Sequence, residues 1–109
     1  MTHIAISKNQ VAIRLTEERW MHITIGHPEL ADYFFEVLET VENPEVVYLG
    51  NSGELLAVRG IPNEETKFLV VVYKELEDQS GILIDGFIVT AYSTSRIKSL
   101  QKRPILWQP

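Results

Sequence analysis

Arg19-Trp20-Met21-His22-Ile23-Thr24-Ile25-Gly26-His27-Pro28-Glu29 places two of the three histidines and one of the two tryptophans at a helix-to-helix junction. A second stretch, Thr90-Ala91-Tyr92-Ser93-Thr94, ends the most apolar strand candidate in a row of hydroxyls. Imidazole transfers protons near neutral pH, and hydroxyls with cations hold phosphate or carbonyl oxygens. If the fold joins the two stretches, the chain has an active site; if not, they are polar decoration. The two histidines differ. His22 lies four residues after Glu18 on the first helix, and a surface pair accounts for it. A helical count brings His27 near Trp20 and Ile23, yet Pro28 frees it from the helical direction. It reads either as a buried structural histidine or as an acid or base. His22 and His27 are five apart and splay on a helix, and no Cys or HExxH pattern completes a metal shell. No metal and no cofactor is expected, and no nucleophilic serine elbow or Gly-rich phosphate loop is present.

The elements that must position these residues follow from pattern. Ile4–Ile6 and Val11–Leu15 alternate around Ser7-Lys8-Asn9-Gln10, an opening hairpin. Thr16 caps a first helix to about Ile25, with Glu17 and Glu18 favouring its positive end. Gly26 and Pro28 separate it from a second helix, Pro28 to about Val41, whose apolar arc is Leu30, Tyr33, Phe34, Val37, Leu38 and Val41. Phe35 falls among that helix's acids, either packed by another element or open to a partner. Strands follow at Glu45–Leu49, Leu55–Arg59, Lys67–Lys74 and Phe87–Ser93, with a weaker one near Ile105–Trp107. Asp85-Gly86 signals a tight turn, which makes Ile82–Ile84 a separate short strand. The expectation is one α+β domain, residues 1–109: an opening hairpin or strand at 1–15, a helical part at 16–42 and a sheet part at 45–107. Two N-terminal helices pack on one face of a mainly antiparallel sheet of about four strands.

Alternation then assigns faces. Phe68, Val70 and Val72 suit packing under the helices, as do Phe87, Val89 and Ala91. The opposite face collects Arg59, Lys67, Tyr73, Thr90, Tyr92 and Thr94. Cation, hydroxyl and aromatic side chains on one surface suit a phosphate and a base, although cross-strand pairing on a half-exposed sheet explains Thr and Tyr equally well.

Charge and composition set the outer bounds. A chain of 109 residues with no cysteine has room for one core and none for a disulfide framework or thiolate chemistry. It shows neither a membrane span nor a secretory signal, so cytoplasmic residence is the expectation. Residues 1–95 carry six Lys/Arg and fifteen Asp/Glu, a balance of −9, while residues 96–109 carry four Lys/Arg and no acid. An acidic body argues against strong non-specific nucleic-acid binding. The basic tail is either a solvated terminus or a local anion site headed by Arg96.

Several motifs occur in order: Thr16-Glu17-Glu18-Arg19-Trp20-Met21-His22-Ile23, His27-Pro28-Glu29, the Asn43-Pro44 helix end, Gly53-Glu54-Leu55-Leu56-Ala57-Val58-Arg59, and Ile88-Val89-Thr90-Ala91-Tyr92. Over residues 14–107 the chain resembles the phage and cyanobacterial branch of the barnase/EndoU/colicin/RelE-like nuclease fold. The resemblance implies helices on a four-stranded antiparallel sheet. It also implies a metal-independent endoribonuclease, often a toxin restrained by an antitoxin, that uses the RNA 2′-hydroxyl as nucleophile. Carried across, His27 is the acid or base, Arg59 holds the scissile phosphate and Thr90 or Thr94 hydrogen-bonds it. Tyr92 stacks a base, and Lys67, Tyr73 and Arg96 complete the substrate-binding set. The alternative is an inactive relative acting as an interaction module, as a homodimer or with a protein partner, through Phe35, Trp107 or an open sheet edge.

Overall fold

The computed structural model describes residues 1–109. Its elements are β1 (Thr2–Ile6), β2 (Ala12–Thr16), α1 (Glu17–Gly26), α2 (Phe34–Glu42), β3 (Val46–Leu49), β4 (Leu55–Ile61), β5 (Glu64–Glu77), β6 (Leu83–Thr94) and β7 (Ile105–Trp107). The fold is α+β, but the expected four-stranded antiparallel sheet is not what forms. All seven strands join one mixed sheet in the order β1-β2-β6-β5-β4-β3-β7. The helices are an insertion between β2 and β3, not an N-terminal pair preceding a separate sheet. The β2–β6 pairing is parallel, and every other pairing is antiparallel.

Gly86 joins what the turn signal divided into two strands. Next to Asp85 it reads as a turn, yet it lies inside β6, opposite Ile13 of β2 and Glu75 of β5. A Cβ at this position would collide with Ile13 Cδ1 and come within 2.6 Å of the Lys74 carbonyl oxygen. Glycine is therefore required for close strand approach, not for turn geometry. The parallel contact covers only Ile13↔Gly86 and Arg14↔Phe87, too short to leave a local pattern. Beside it, Arg14 donates through Nε and Nη2 to the Asp85 carboxylate at 3.2 and 2.8 Å.

α1 starts where its cap dictates. Thr16 Oγ1 accepts from the Arg19 amide at 3.0 Å, and the helix closes with the His27 amide on the Ile23 carbonyl at 2.7 Å. The second helix differs from its expected span. Pro28–Leu30 forms a 3-10 turn, the Tyr33 amide bonds the Leu30 carbonyl at 2.8 Å, and α2 begins only at Phe34. The interruption lets Leu30 stay fully buried while Phe34 packs edge-on against His3 and Trp20, at 4.7 and 5.2 Å between centroids. Such edge-to-face pairs favour one ring geometry.

The sheet is apolar on both faces. Towards the helices it presents Ile13, Leu15, Leu55, Ala57, Leu69, Val71, Tyr73, Ile88 and Ala91. On the far side Tyr48, Leu56, Val58 and Val70 are covered by Leu100, with Phe68, Val72, Tyr92 and Ile97 around them. The faces expected for β5 are thus exchanged: Phe68, Val70 and Val72 point away from the helices. Alternation separates two faces but cannot say which lies inward when both are buried. Sheet curvature also brings its two edges together. Lys8, at the tip of the β1–β2 hairpin, stands 4.7 Å from the Trp107 ring of β7, and the Ile6 amide donates to Glu42 of α2 at 3.0 Å.

Replacing Gly86 with alanine must displace the β5 backbone or the Ile13 side chain. Urea denaturation should show Gly86→Ala less stable by about 1–3 kcal/mol, the usual cost of overpacking, whereas Gly26→Ala, with open space around its Cβ position, should fall within about 1 kcal/mol of wild type.

Candidate functional site

After Phe87 the two parallel strands part. β2 turns into α1 at Thr16, while β6 continues alone to Thr94, so its outer edge has no strand neighbour from Val89 on. A register shift falls between the Val72–Thr90 and Tyr73–Ile88 pairs, leaving Val89 bulged. Bulges of this kind re-aim side chains and collect beside functional sites. The α1 terminus and the Pro28–Leu30 turn fill the fork between the strands, and His27 stands there.

His27 is 39% exposed, with Nδ1 3.7 Å from Glu29 Oε2. The same carboxylate oxygen accepts from Ser93 Oγ at 3.3 Å. The imidazole lies 6.2 Å from the Tyr92 ring, tilted by 37°. This is no nucleophilic triad, because that chemistry needs the histidine between serine and acid. Here Glu29 is the middle member: it accepts from Ser93 and faces His27 Nδ1 beyond hydrogen-bond distance, and the second ring nitrogen has no protein partner. An imidazole beside a carboxylate and open to solvent can act as a proton donor or acceptor.

Tyr92 and Thr94 lie across β6 from Ser93, on the face away from the helices, paired with Val70 and Phe68. Burial pushes the Tyr92 phenol up from its ordinary range, and the charge of Arg103 opposes that shift. Thr94 Oγ1 accepts from the Arg96 amide at 2.9 Å and so shapes the exit of the chain into the basic segment. Thr90 shares this face, opposite Val72.

Arg59 does not join them. Its row, Arg59–Leu69–Ser93, lies on the helix side, and two strand spacings put Arg59 and Ser93 roughly 10 Å apart at Cα. The guanidinium turns the other way, to Glu39 Oε1 at 3.1 Å and the Asn43 carbonyl at 2.5 Å. There it lines a cleft of about 120 Å³ with Tyr33, Glu36, Glu39 and Leu69. Desolvation, then Glu64, Glu36 and Asp32, raise the Tyr33 phenol above its usual range. A site this acidic repels phosphate. Lys67 sits 3.9 Å from Glu64, out of phase with Phe68 and thus off the Tyr92 face. Tyr73 is 1% exposed in the helix-side core and cannot meet a ligand.

The expected single surface is therefore divided. The fold sets His27 beside Tyr92, keeps Thr90 and Thr94 on the same far face as Tyr92, and removes Arg59, Lys67 and Tyr73. Glu29 and Ser93 were not legible as partners, since one lies on an acidic stretch and the other arrives from 64 residues away. No group of three or more His, Cys, Asp or Glu side chains is placed to hold a metal ion. Compared with family models, curated proteins and solved structures, the chain matches none.

Burial raises the Tyr73 phenol well above its ordinary range, with Glu75 adding to the shift. Its ionised form is therefore favoured in the unfolded chain. The contribution of Tyr73 to stability is fully present below about pH 10, the unfolded value, and is lost as pH rises above it. Urea midpoints should fall between pH 8 and pH 11, and Tyr73→Phe should flatten that decline; an unchanged slope in the variant would place the alkaline sensitivity elsewhere.

Proposed function

We propose that the chain is a toxin-like, metal-independent endoribonuclease whose proton-transfer residue is His27. One observation carries the reading: a half-exposed imidazole, 3.7 Å from the Glu29 carboxylate that Ser93 engages, lies beside Tyr92 at the open edge of β6. In the proposed reaction the RNA 2′-hydroxyl gives up its proton and attacks the adjacent phosphorus, the P–O5′ bond breaks, the leaving 5′-oxygen takes a proton, and a 2′,3′-cyclic phosphate forms, with solvent exchanging the proton that His27 does not. His27 serves as acid or base, Tyr92 stacks a base, and Thr94 and Arg96 hold phosphate oxygens. Arg59 drops out of the catalytic set, because Glu39 and Asn43 already engage its charge and its hydrogen bonds. Thr90 stays a secondary contact on the Tyr92 face. The resemblance in the linear motifs supports the substrate class, and cytoplasmic residence fits a chain in which no helix is long and apolar enough to cross a membrane.

Single-stranded RNA incubated with purified protein in EDTA is the test. His27→Ala should cut the cleavage rate by about 10²–10⁴-fold, the usual worth of a positioned acid or base. Arg59→Ala should leave the rate within a few-fold and cost less than about 1 kcal/mol of stability, as an exposed ion pair does. Absence of cleavage by wild type, or equal rates in wild type and His27→Ala, would remove His27 from catalysis.

A second reading, a module that binds a protein such as an antitoxin or a second copy, rests on Phe35. This ring is 75% exposed on α2 and is held edge-on by Phe34 at 5.4 Å. Pairing through the β1 edge is disfavoured, since Glu42 already occupies the Ile6 amide. Sedimentation across concentration should detect any dimer and its loss in Phe35→Ser; a monomer at all concentrations would exclude the second copy.

A further inference from the structure

Ten lysines and arginines are divided between two kinds of environment. In the body, Arg14, Arg59 and Lys67 are ion-paired, Lys8 sits over the Trp107 ring, and Arg19 and Lys74 stand apart on different elements without an ion pair. In the segment from Arg96 to Arg103, no cation forms an ion pair, and no acid occurs in that stretch of sequence. Arg103 donates to the neutral Asn51 side-chain oxygen at 2.8 Å and lies in the field of Glu54. Arg96, Lys98 and Lys102 are exposed and unpaired. The segment is not a loose tail. It leaves β6 through the Thr94 cap, makes a 3-10 turn at Ile97–Ser99, buries Leu100 to 7% exposure over Leu56, Val58 and Val70, and feeds β7 onto β3. A chain balanced at −9 over its first 95 residues thus carries one anchored strap of unneutralised positive charge, and that strap begins two residues after Thr94.

We propose that this strap is the phosphate-tracking surface for a single-stranded polynucleotide, with Arg96 on the phosphate beside His27 and Lys98 and Lys102 each neutralising a further backbone phosphate. The inference rests on the ribonuclease reading for the strand's identity, while its binding function is measurable without cleavage. Charge decides the occupant. A polyanion is attracted to the strap and repelled by Glu36, Glu39 and Glu64 around the Arg59 cleft on the helix side, which confines it to the opposite face of the sheet, where Leu100 packs. Leu100 holds the backbone of the strap in place, so binding has to order only its exposed side chains and the nucleic acid. The acidic body suppresses attachment elsewhere, giving a local rather than a diffuse nucleic-acid surface.

A fluorescently labelled 2′-O-methylated oligouridine 12-mer, which lacks the attacking hydroxyl, serves as the probe in anisotropy titrations across salt concentration. Each lost phosphate contact on a single strand should reduce the slope of log affinity against log salt by about 0.7. The full-length triple variant Arg96→Gln/Lys98→Gln/Lys102→Gln should therefore lose about 2 from the wild-type slope. The body variant Arg19→Gln/Lys74→Gln, which removes two cations outside the strap, should keep it. Circular dichroism melts of both variants confirm folding. An unchanged slope in the triple variant, an equal fall in the body variant, or no binding of the 12-mer overturns the proposal. So does salt-sensitive self-association without RNA binding, which would place the strap on the acidic body of a second copy. The arms separate from the catalytic test: binding with the expected slopes but no cleavage of unmodified RNA supports the strap and removes the nuclease, and cleavage with unchanged slopes does the reverse.

Discussion

The missing side chain at Gly86 is the constraint on which the arrangement depends. Two residue pairs hold β2 to β6 in parallel, and any Cβ at this position strikes Ile13 and the Lys74 backbone. Through that contact the opening hairpin becomes part of the main sheet, and the helices that follow β2 are delivered onto the β5–β6 surface. A parallel connection needs an intervening crossover, and here α1, α2 and three strands lie between the two partners. The brevity of the pairing matters as much as its existence. Because β2 leaves after Arg14, β6 runs on with a bare outer edge, and the junction after α1 lands beside it. His27 is near Tyr92 because two strands separate one residue after they meet.

Much of the local structure was legible in the residues themselves. Thr16 forms the cap its type suggests, Gly26 and Pro28 end α1, and Asn43 ends α2. What was not legible is relational. Gly86 looks like half of a turn until a neighbouring strand supplies the atoms that forbid a Cβ. Tyr73 alternates with Val72, and either could face inward; the choice falls to Leu100, thirty positions or so downstream, which covers the Val70 side and leaves Tyr73 to the helix-side core. The same exchange carries Arg59 to α2, so one undecidable phase separated two residues expected on one surface. Within β6, the bulge at Val89 returns Ile88 and Ala91 to the same side despite their odd spacing.

The candidate site was half legible for a related reason. His27 could be singled out because a Gly–Pro break is a local feature, and Tyr92 because a hydroxyl row ends a strand. Their partners were invisible. Glu29 sits in a sequence rich in carboxylates, and only the arrival of Ser93 distinguishes it from the solvated acids of α2. Arg59 was expected to hold the phosphate because strand alternation set it on one face with Thr90 and Tyr92 and the linear resemblance implied that role. A free charge, however, is a property of surroundings: with Glu39 at 3.1 Å and a helix-end carbonyl on its other nitrogen, Arg59 closes α2 against β4 and has little left to offer an anion.

Site and charge together favour a long ligand over a small one. The cleft beside Arg59 is acidic and, at about 120 Å³, far below the ~300–1,000 Å³ typical of small-molecule pockets. His27 stands outside it, in partial contact with solvent, where an imidazole gains little from a low dielectric. Selectivity at such an open position cannot come from enclosure. It must come from contacts spread along an extended molecule, with remote binding energy used to place the reacting group. The anchored strap supplies those contacts from the end of β6 across the far face of the sheet towards β7, and the acids of α2 deny them on the helix side. An exposed histidine and an unpaired basic strap, each unremarkable alone, become parts of one surface because β6 connects them.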